Sequence, residues 1–237
     1  SANYFYKLAE RRFFEMSIDS IYLAKIYIYQ ASVDKSKMYF SSSITKNYTA
    51  YRIAKMKENR SVSVDALSQI GSLYKLQSNY EMALKAYHKI LVDYDTLDFY
   101  QRGMVHNNLA NIYFDEDRFS RSLEHYRSAS ENFQNAGYNQ SLCNSLVNIG
   151  NVYLELGQMD SAFIFYDQAE QLNKGQFSKI ESLTSLNKGV ILMRKMTAIP
   201  VFQTQAWVSF YSVPVFLLMT LIFEENHISQ IENLDMV

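Results

Sequence analysis

Few residues in this chain have the type and spacing that catalysis or metal binding requires. The four histidines, His88, His106, His125 and His227, form no recognisable motif with another His, Cys, Asp or Glu at helical ligand spacing. Cys143 is the single cysteine and has no histidine near it in sequence, so it is interpreted as a small buried hydrophobe. We therefore expect no enzymatic activity, no cofactor and no bound metal.

Two charged clusters also favour structural interpretations. The acidic run Asp115–Asp117 falls in a predicted turn, and no calcium-ligand spacing follows it. A basic cluster is predicted at the end of a helix, where the helix dipole favours positive charge, although an acidic partner surface is an alternative. Its members are Arg52, Lys55, Lys57 and Arg60. The formal net charge of −1 gives no global attraction to nucleic acid.

The elements that would position any site follow a repeated pattern of small and large residues. Each copy has a small residue, a Tyr three positions later, a second small residue nine positions after that, and an aromatic residue four further on. Three copies fit: Gly71, Tyr74, Ala83 and Tyr87; Ala110, Tyr113, Ser122 and Tyr126; and Gly150, Tyr153, Ala162 and Tyr166. A weaker copy is assigned to Ala24, Tyr27, Ser36 and Phe40.

This spacing predicts pairs of helices joined by tight turns. In the clearest copy, Gly157 is suited to the end of the first helix and Asp160 to capping the second. The leading small residues recur at intervals of 39 and 40 residues, and such a period predicts a solenoid of stacked units. With only 7 Gly and 2 Pro among 237 residues, nearly the whole chain is expected to be helical.

The recurrence of these residues in register resembles the tetratricopeptide repeat family, from about Ile18 to Met196. The period exceeds the roughly 34 residues typical of that family, and long repeats of this kind are similar to those of bacterial signalling regulators such as Rap-like peptide receptors. The resemblance implies an all-α, right-handed solenoid. We expect a degenerate N-terminal repeat or cap over residues 1–62, three repeats over 63–97, 98–137 and 138–176, the first helix of a fourth over 177–196, and a divergent hydrophobic tail over 197–237.

The resemblance also directs attention to asparagine, because the first helix of each tetratricopeptide pair lines the concave groove. Asn108, Asn148 and Asn187 share one repeat position, while Asn111 and Asn151 share another one helical turn later. The full predicted set is Asn107, Asn108, Asn111, Asn144, Asn148, Asn151 and Asn187. An amide both donates and accepts hydrogen bonds, which suits gripping the backbone of an extended peptide. The alternative is that these asparagines bond neighbouring helices and order the stack.

The tail differs in composition from the repeats. Residues 196–223 contain no Asp, Glu, Lys or Arg, and residues 206–223 are nearly all apolar, close to the roughly 20 residues of a membrane span. Three interpretations remain open: a C-terminal helix that seals the solenoid, a membrane anchor, or a run unrelated to the repeats. The anchor would leave the repeats in the cytoplasm.

We interpret the chain as a non-enzymatic module that binds a protein or an extended peptide, as the sensing or scaffolding part of a bacterial signalling regulator in the cytoplasm. The alternatives are a Rap-like modulator of a response regulator and a membrane-tethered scaffold. The groove positions lack the Lys and Arg residues of a carboxylate clamp, so recognition of a C-terminal carboxylate is not expected.

Overall fold

The computed structural model describes residues 20–94 and 97–197, and the side chains of these residues as far as Lys195. The chain divides into two units, residues 1–184 and 185–237. The predicted tail and the N-terminal end of the predicted cap lie outside the described residues. The described helices are α1 (Ser20–Ser36), α2 (Phe40–Met56), α3 (Arg60–Leu76), α4 (Tyr80–Asp93), α5 (Phe99–Asp115), α6 (Phe119–Asn135), α7 (Asn139–Glu155), α8 (Met159–Asn173) and α9 (Ser178–Thr197).

Helices α1 to α8 form four hairpins, α1–α2, α3–α4, α5–α6 and α7–α8, numbered here first to fourth. Helices within each hairpin pack against each other, and each hairpin also packs against the next. The described part of the first unit, residues 20–94 and 97–184, is therefore an all-α solenoid of helix-turn-helix repeats, as the sequence predicts. Of the second unit, the structure describes the last part of α9.

The turns inside the hairpins repeat with the same period as the packing residues. Met38, Ser78, Asp117 and Gly157 each have a positive φ, between 56° and 71°, directly before the residue that precedes the second helix. Gly157 directly follows Leu156, the C-cap residue of α7, so the glycine predicted at this helix end lies one residue beyond the cap, with the positive φ that glycine favours there. The prediction for Asp160 is wrong: the N-cap position of α8 is Gln158, and Asp160 lies inside the first helical turn.

The weaker N-terminal copy was assigned to the wrong register. Helix α1 continues to Ser36, so Ser36 cannot begin the packing face of the second helix. Instead, the Ser43 hydroxyl donates to the Ala31 carbonyl at 2.7 Å, as the Ser122 hydroxyl donates to the Ala110 carbonyl at 3.0 Å. Ala31 therefore replaces Ala24 as the leading small residue. The seven-residue error equals about two helical turns, which returns to the same helix face.

Close packing explains the small residues of the repeat. A Cβ atom added to Gly71 would lie 2.6 Å from the Tyr87 ring, and one added to Gly150 would lie 2.5 Å from the Tyr166 ring. Tyr87 and Tyr166 are almost fully buried. The first helix must therefore lack a side chain where the aromatic ring of the second helix crosses it.

We expect Gly150→Ala to lower the free energy of unfolding by about 1–3 kcal/mol, because the added methyl group overpacks against the Tyr166 ring. Gly189→Ala is the matched control, since among the described residues no atom lies within 4 Å of a Cβ at that helical position. This control should stabilise the protein by about 0.5–1 kcal/mol through helix propensity. Urea denaturation measures both; equal stability of Gly150→Ala and the unsubstituted chain would contradict the packing described here.

Candidate functional site

A groove of about 690 Å³ crosses the first helices of the first three hairpins, α1, α3 and α5. Its walls come from repeat-equivalent positions. Lys25, Asp65 and Met104 each lie six residues before the leading small residue of their helix, and Tyr29 and Gln69 lie two residues before it. The groove is therefore a product of the repeat, with different side chains placed at the same position on successive helices.

The lining of this groove combines apolar and polar groups. Ile28, Tyr29 and Met104 provide apolar surface, and Tyr29 and Met104 are exposed. Hydroxyl and amide groups complete most of the wall, from Ser32, Asn59, Ser61, Ser68, Gln69 and Gln101. Such a surface can contact apolar side chains and hydrogen bond to a peptide backbone at the same time.

Lys25 and Asp65 are the charged members of the groove lining. Surrounding protein atoms raise the pKa of Asp65, although its side chain reaches solvent, and the positive charge of Lys25 partly opposes this rise. The groove therefore carries one charge of each sign on adjacent helices, α1 and α3. This arrangement differs from a cluster of cations that would capture a carboxylate.

The predicted asparagines continue these rows onto later helices. Asn108 and Asn148 occupy the position of Tyr29 and Gln69, and Asn144 occupies that of Lys25, Asp65 and Met104. Asn107, in the position of Ile28 and Ser68, is half-buried, as are Asn108 and Asn148, whereas Asn144 is exposed. Asn187 is half-buried on α9, in the second unit.

Two of the predicted asparagines also stabilise their own hairpins. The Tyr126 hydroxyl donates to Asn111 Oδ1 at 2.5 Å, and the Tyr166 hydroxyl donates to Asn151 Oδ1 at 2.7 Å. In the second hairpin Ser72 occupies this position, and the Tyr87 hydroxyl donates to the Ser68 carbonyl at 3.2 Å. For Asn111 and Asn151 these bonds favour the alternative interpretation, in which the amide orders the stack.

Sequence reasoning missed the residues that line this groove on α1, α3 and α5, and none of the seven predicted asparagines is among them. Helices α1 and α3 carry Tyr, Gln, Ser and charged residues where α5 and α7 carry asparagine, so a search for a repeated residue type does not find them. The signal was available in the 40-residue interval from Ala31 to Gly71, which aligns Tyr29 with Gln69 and Lys25 with Asp65. The register error in α1 concealed that alignment.

The structure also joins two histidines that the sequence leaves apart. His106 Nδ1 on α5 and His125 Nδ1 on α6 are 2.9 Å apart, within hydrogen-bonding distance. The His125 ring stacks on the Tyr113 ring, with centroids 5.3 Å apart. Among the described residues, no group of three or more His, Cys, Asp or Glu side chains is placed to hold a metal ion.

The remaining candidates have structural surroundings. Cys143 is fully buried, as predicted, and burial raises the pKa of its thiol. Asp115 forms an ion pair with Lys75 at 2.9 Å. Lys55 and Arg60 of the basic cluster line a second pocket of about 770 Å³ that also contains Glu58 and Asp93. The mixed charges of that pocket do not favour an acidic partner over others.

Together, the hairpin solenoid and its groove define a helical repeat scaffold of the kind that binds other proteins or peptides. The sequence model of the tetratricopeptide repeat family matches residues 101–174. Residues 101–174 are thus a tetratricopeptide-repeat region, and modules of this family mediate protein interactions. Among curated proteins, none matches the sequence.

Solved structures share the fold at low sequence identity. Aspartyl phosphate phosphatase F from Bacillus subtilis has 16% identity and a TM-score of 0.74, over 94% of this chain and 56% of that one. A Rap protein complexed with Competence and Sporulation Factor has 17% identity and a TM-score of 0.68, over 77% of this chain and 52% of that one. BtubC from P. vanneervenii has 20% identity and a TM-score of 0.64, over 72% and 71%.

The chain thus spans little more than half the length of the first two of these proteins. None of the described helices is long and apolar enough to cross a membrane. The apolar stretch at residues 206–223 lies outside the described part of the chain, so its three interpretations remain predictions.

We expect Asn151→Ala to lower the free energy of unfolding by about 1–3 kcal/mol, because the buried Tyr166 hydroxyl loses this acceptor. The control is Asn144→Ala on the same helix, where an exposed side chain should change stability by less than about 0.5 kcal/mol. Thermal unfolding of the purified variants measures both effects. Equal effects of the two substitutions would contradict a scaffold role specific to Asn151.

Proposed function

We propose that the groove across α1, α3 and α5, continued by the asparagines of α5 and α7, binds an extended peptide or a segment of a partner protein. The observation that carries this proposal is the alignment of groove-lining residues at equivalent positions of successive hairpins. An extended chain presents its backbone groups and side chains at regular intervals. A solenoid that repeats the same positions at regular intervals can contact such a chain along its length.

Amide side chains suit the backbone of this ligand, and the exposed apolar residues suit its side chains. Gln69 and Asn108 occupy the same repeat position on neighbouring helices, and each can both donate and accept hydrogen bonds. Tyr29 and Met104 offer apolar surface beside them. The ligand we infer is therefore an extended peptide with at least one apolar side chain, recognised without a free C-terminal carboxylate.

The comparisons support this proposal at the level of fold. The Rap structure with Competence and Sporulation Factor is a complex formed by a protein of similar architecture. At identities of 16–20%, the likeness shows the fold alone, so a role as a response-regulator modulator remains a prediction. The proposal includes a non-enzymatic role in a bacterial signalling regulator, which the sequence resemblance implies, and a cytoplasmic location.

The proposal is tested by selecting linear peptides from a random 12-residue library displayed on phage, with the purified chain as bait. An enriched peptide is then synthesised and its dissociation constant is measured by fluorescence anisotropy. Gln69→Ala/Asn108→Ala should weaken binding about tenfold, the effect of losing two hydrogen bonds of roughly 0.5–1.5 kcal/mol each. Gln134→Ala, an exposed substitution on the second helix α6, is the matched control and should not change affinity.

Amidation of the peptide C-terminus should change the dissociation constant by less than about twofold, because this groove lacks a cluster of cations for a carboxylate. Failure to enrich any peptide, or equal binding by the double variant and the control, would contradict the proposed site. Strong dependence on the free carboxylate would leave the site in place but overturn the inferred ligand class.

A further inference from the structure

The third hairpin differs from its neighbours at one packing position between its two helices. Four residues before the leading small residue, the second hairpin has Leu67 and the third has His106. The facing position on the second helix is Ala86 in the second hairpin and His125 in the third. Leu67 and Ala86 lie in the same buried apolar cluster. The third hairpin therefore has a polar, titratable pair where its neighbour has an apolar contact.

The contact between these imidazoles depends on their protonation. With Nδ1 atoms 2.9 Å apart, one ring must donate and the other must accept. One added proton still permits this bond, as imidazolium to imidazole. A second proton leaves two donors and two positive charges facing each other with no acceptor between them. The two sites are therefore coupled, and their protons must bind in separate steps.

The groups around His106 and His125 oppose proton uptake by these two rings. Both rings are half-buried, and burial is the main cause that lowers the pKa of each, to about 4 for His106. His88 of α4 adds positive charge, as do Arg102 of α5 and Arg121 of α6, while the negative charge of Glu124 on α6 partly opposes them. The Tyr113 ring stacks on the His125 ring, and the guanidinium groups of Arg118 and Arg121 lie over the Tyr113 ring.

We propose that the His106–His125 pair is a proton-sensitive contact that loosens α5 from α6 in acid. This goes beyond the proposed binding function, because it concerns the scaffold and not the ligand. Its consequence reaches the groove, because α5 also carries Met104 and Asn108, each two residues from His106. Release of the pair would shift the part of the groove wall that the third hairpin provides.

The direction in which stability changes with pH follows from the linkage between proton binding and folding. A histidine whose pKa is lower in the folded state than the ordinary value of 6.5 binds more protons when unfolded. Its contribution to stability is complete above pH 6.5 and is lost progressively as the pH falls toward about 4. For His106 alone, the folding equilibrium constant should fall at least about tenfold between pH 7 and pH 5, since each unit of pKa shift corresponds to a factor of ten.

The test compares the unsubstituted chain with His106→Leu/His125→Ala, which installs the side chains of the second hairpin. Stability is measured by urea denaturation at pH 7, 6 and 5. Between pH 7 and pH 5, the folding equilibrium constant of the unsubstituted chain should fall by a factor at least about ten times larger than that of the double variant. Carboxylates also contribute to the pH dependence of stability. One is Asp34, whose pKa is raised by burial but lowered overall by hydrogen bonds from Lys46 and Ser42. These groups are present in both chains, so their contributions cancel in the comparison. His88→Asn, on α4, removes a nearby histidine whose own pKa is lowered by burial, and it should remove less of the pH dependence than His106→Leu/His125→Ala does.

A second measurement requires no variant to fold. In an NMR titration of the unsubstituted chain, the ring carbons of His106 and His125 should titrate below pH 6.5 in two coupled steps. The amide signals of Met104 and Asn108 should move with them. Independent titration of both rings near pH 6.5, or parallel pH dependence of the double variant and the unsubstituted chain, would overturn the proposal. Because neither measurement uses a peptide, failure here is distinct from failure of the groove to bind one.

Discussion

Each hairpin depends on one close approach between its two helices, at a small residue of the first helix. At Gly71 and Gly150 the approach is too close for any side chain, and the tyrosine ring fills the space. At Ala31 and Ala110 a serine hydroxyl bonds the facing carbonyl. These contacts fix the rotation of each first helix about its axis. That rotation decides which residues face the hairpin interior and which face outward.

The same contact separates scaffold residues from groove residues on a single helix. The tyrosine that covers the small position reaches with its hydroxyl to the next residue, Asn111 or Asn151, so the amide oxygen there bonds within the hairpin. Positions two, three and six residues before the small residue lie on the groove side, as Tyr29, Ile28 and Lys25 do on α1. Asparagines only a few positions apart therefore differ in their surroundings: Asn111 and Asn151 accept hydrogen bonds within their hairpins, and Asn108 and Asn148 lie at the repeat position of Tyr29.

The repeat period was the most informative feature of the sequence. It gave the class of fold, because small residues and tyrosines recur around Gly71, Ala110 and Gly150 without exception, whereas the predicted repeat boundaries stay predictions. It failed in α1, where Asn47 replaces the tyrosine of the other copies and a shift of seven residues preserves the apolar face. Residue type led to the asparagine row, which stays a prediction, and not to Lys25, Asp65 or Gln69, which line the groove at equivalent repeat positions without sharing that chemistry.

The histidine pair shows a different limit of sequence reasoning. His106 and His125 are 19 residues apart, on two antiparallel helices, so no spacing rule within one helix brings them together. Their contact follows only once the hairpin register is known, since they occupy the positions of Leu67 and Ala86. A search of facing positions across each turn would have found them.

The rows of equivalent repeat positions along the groove also bear on the direction in which a peptide would bind. Along the row six residues before the small position, the side chains change from Lys25 to Asp65, Met104 and Asn144. The backbone that presents them is the same in each hairpin, so the packing contacts need not change when these residues do.

A ligand lying across the helices would meet charge at one end of the row and an uncharged amide at the other. An extended peptide has a direction, and reversing it would bring different side chains against Lys25 and Asp65. Selectivity in such a scaffold therefore resides in the differences between its repeats, and its stability in their likeness.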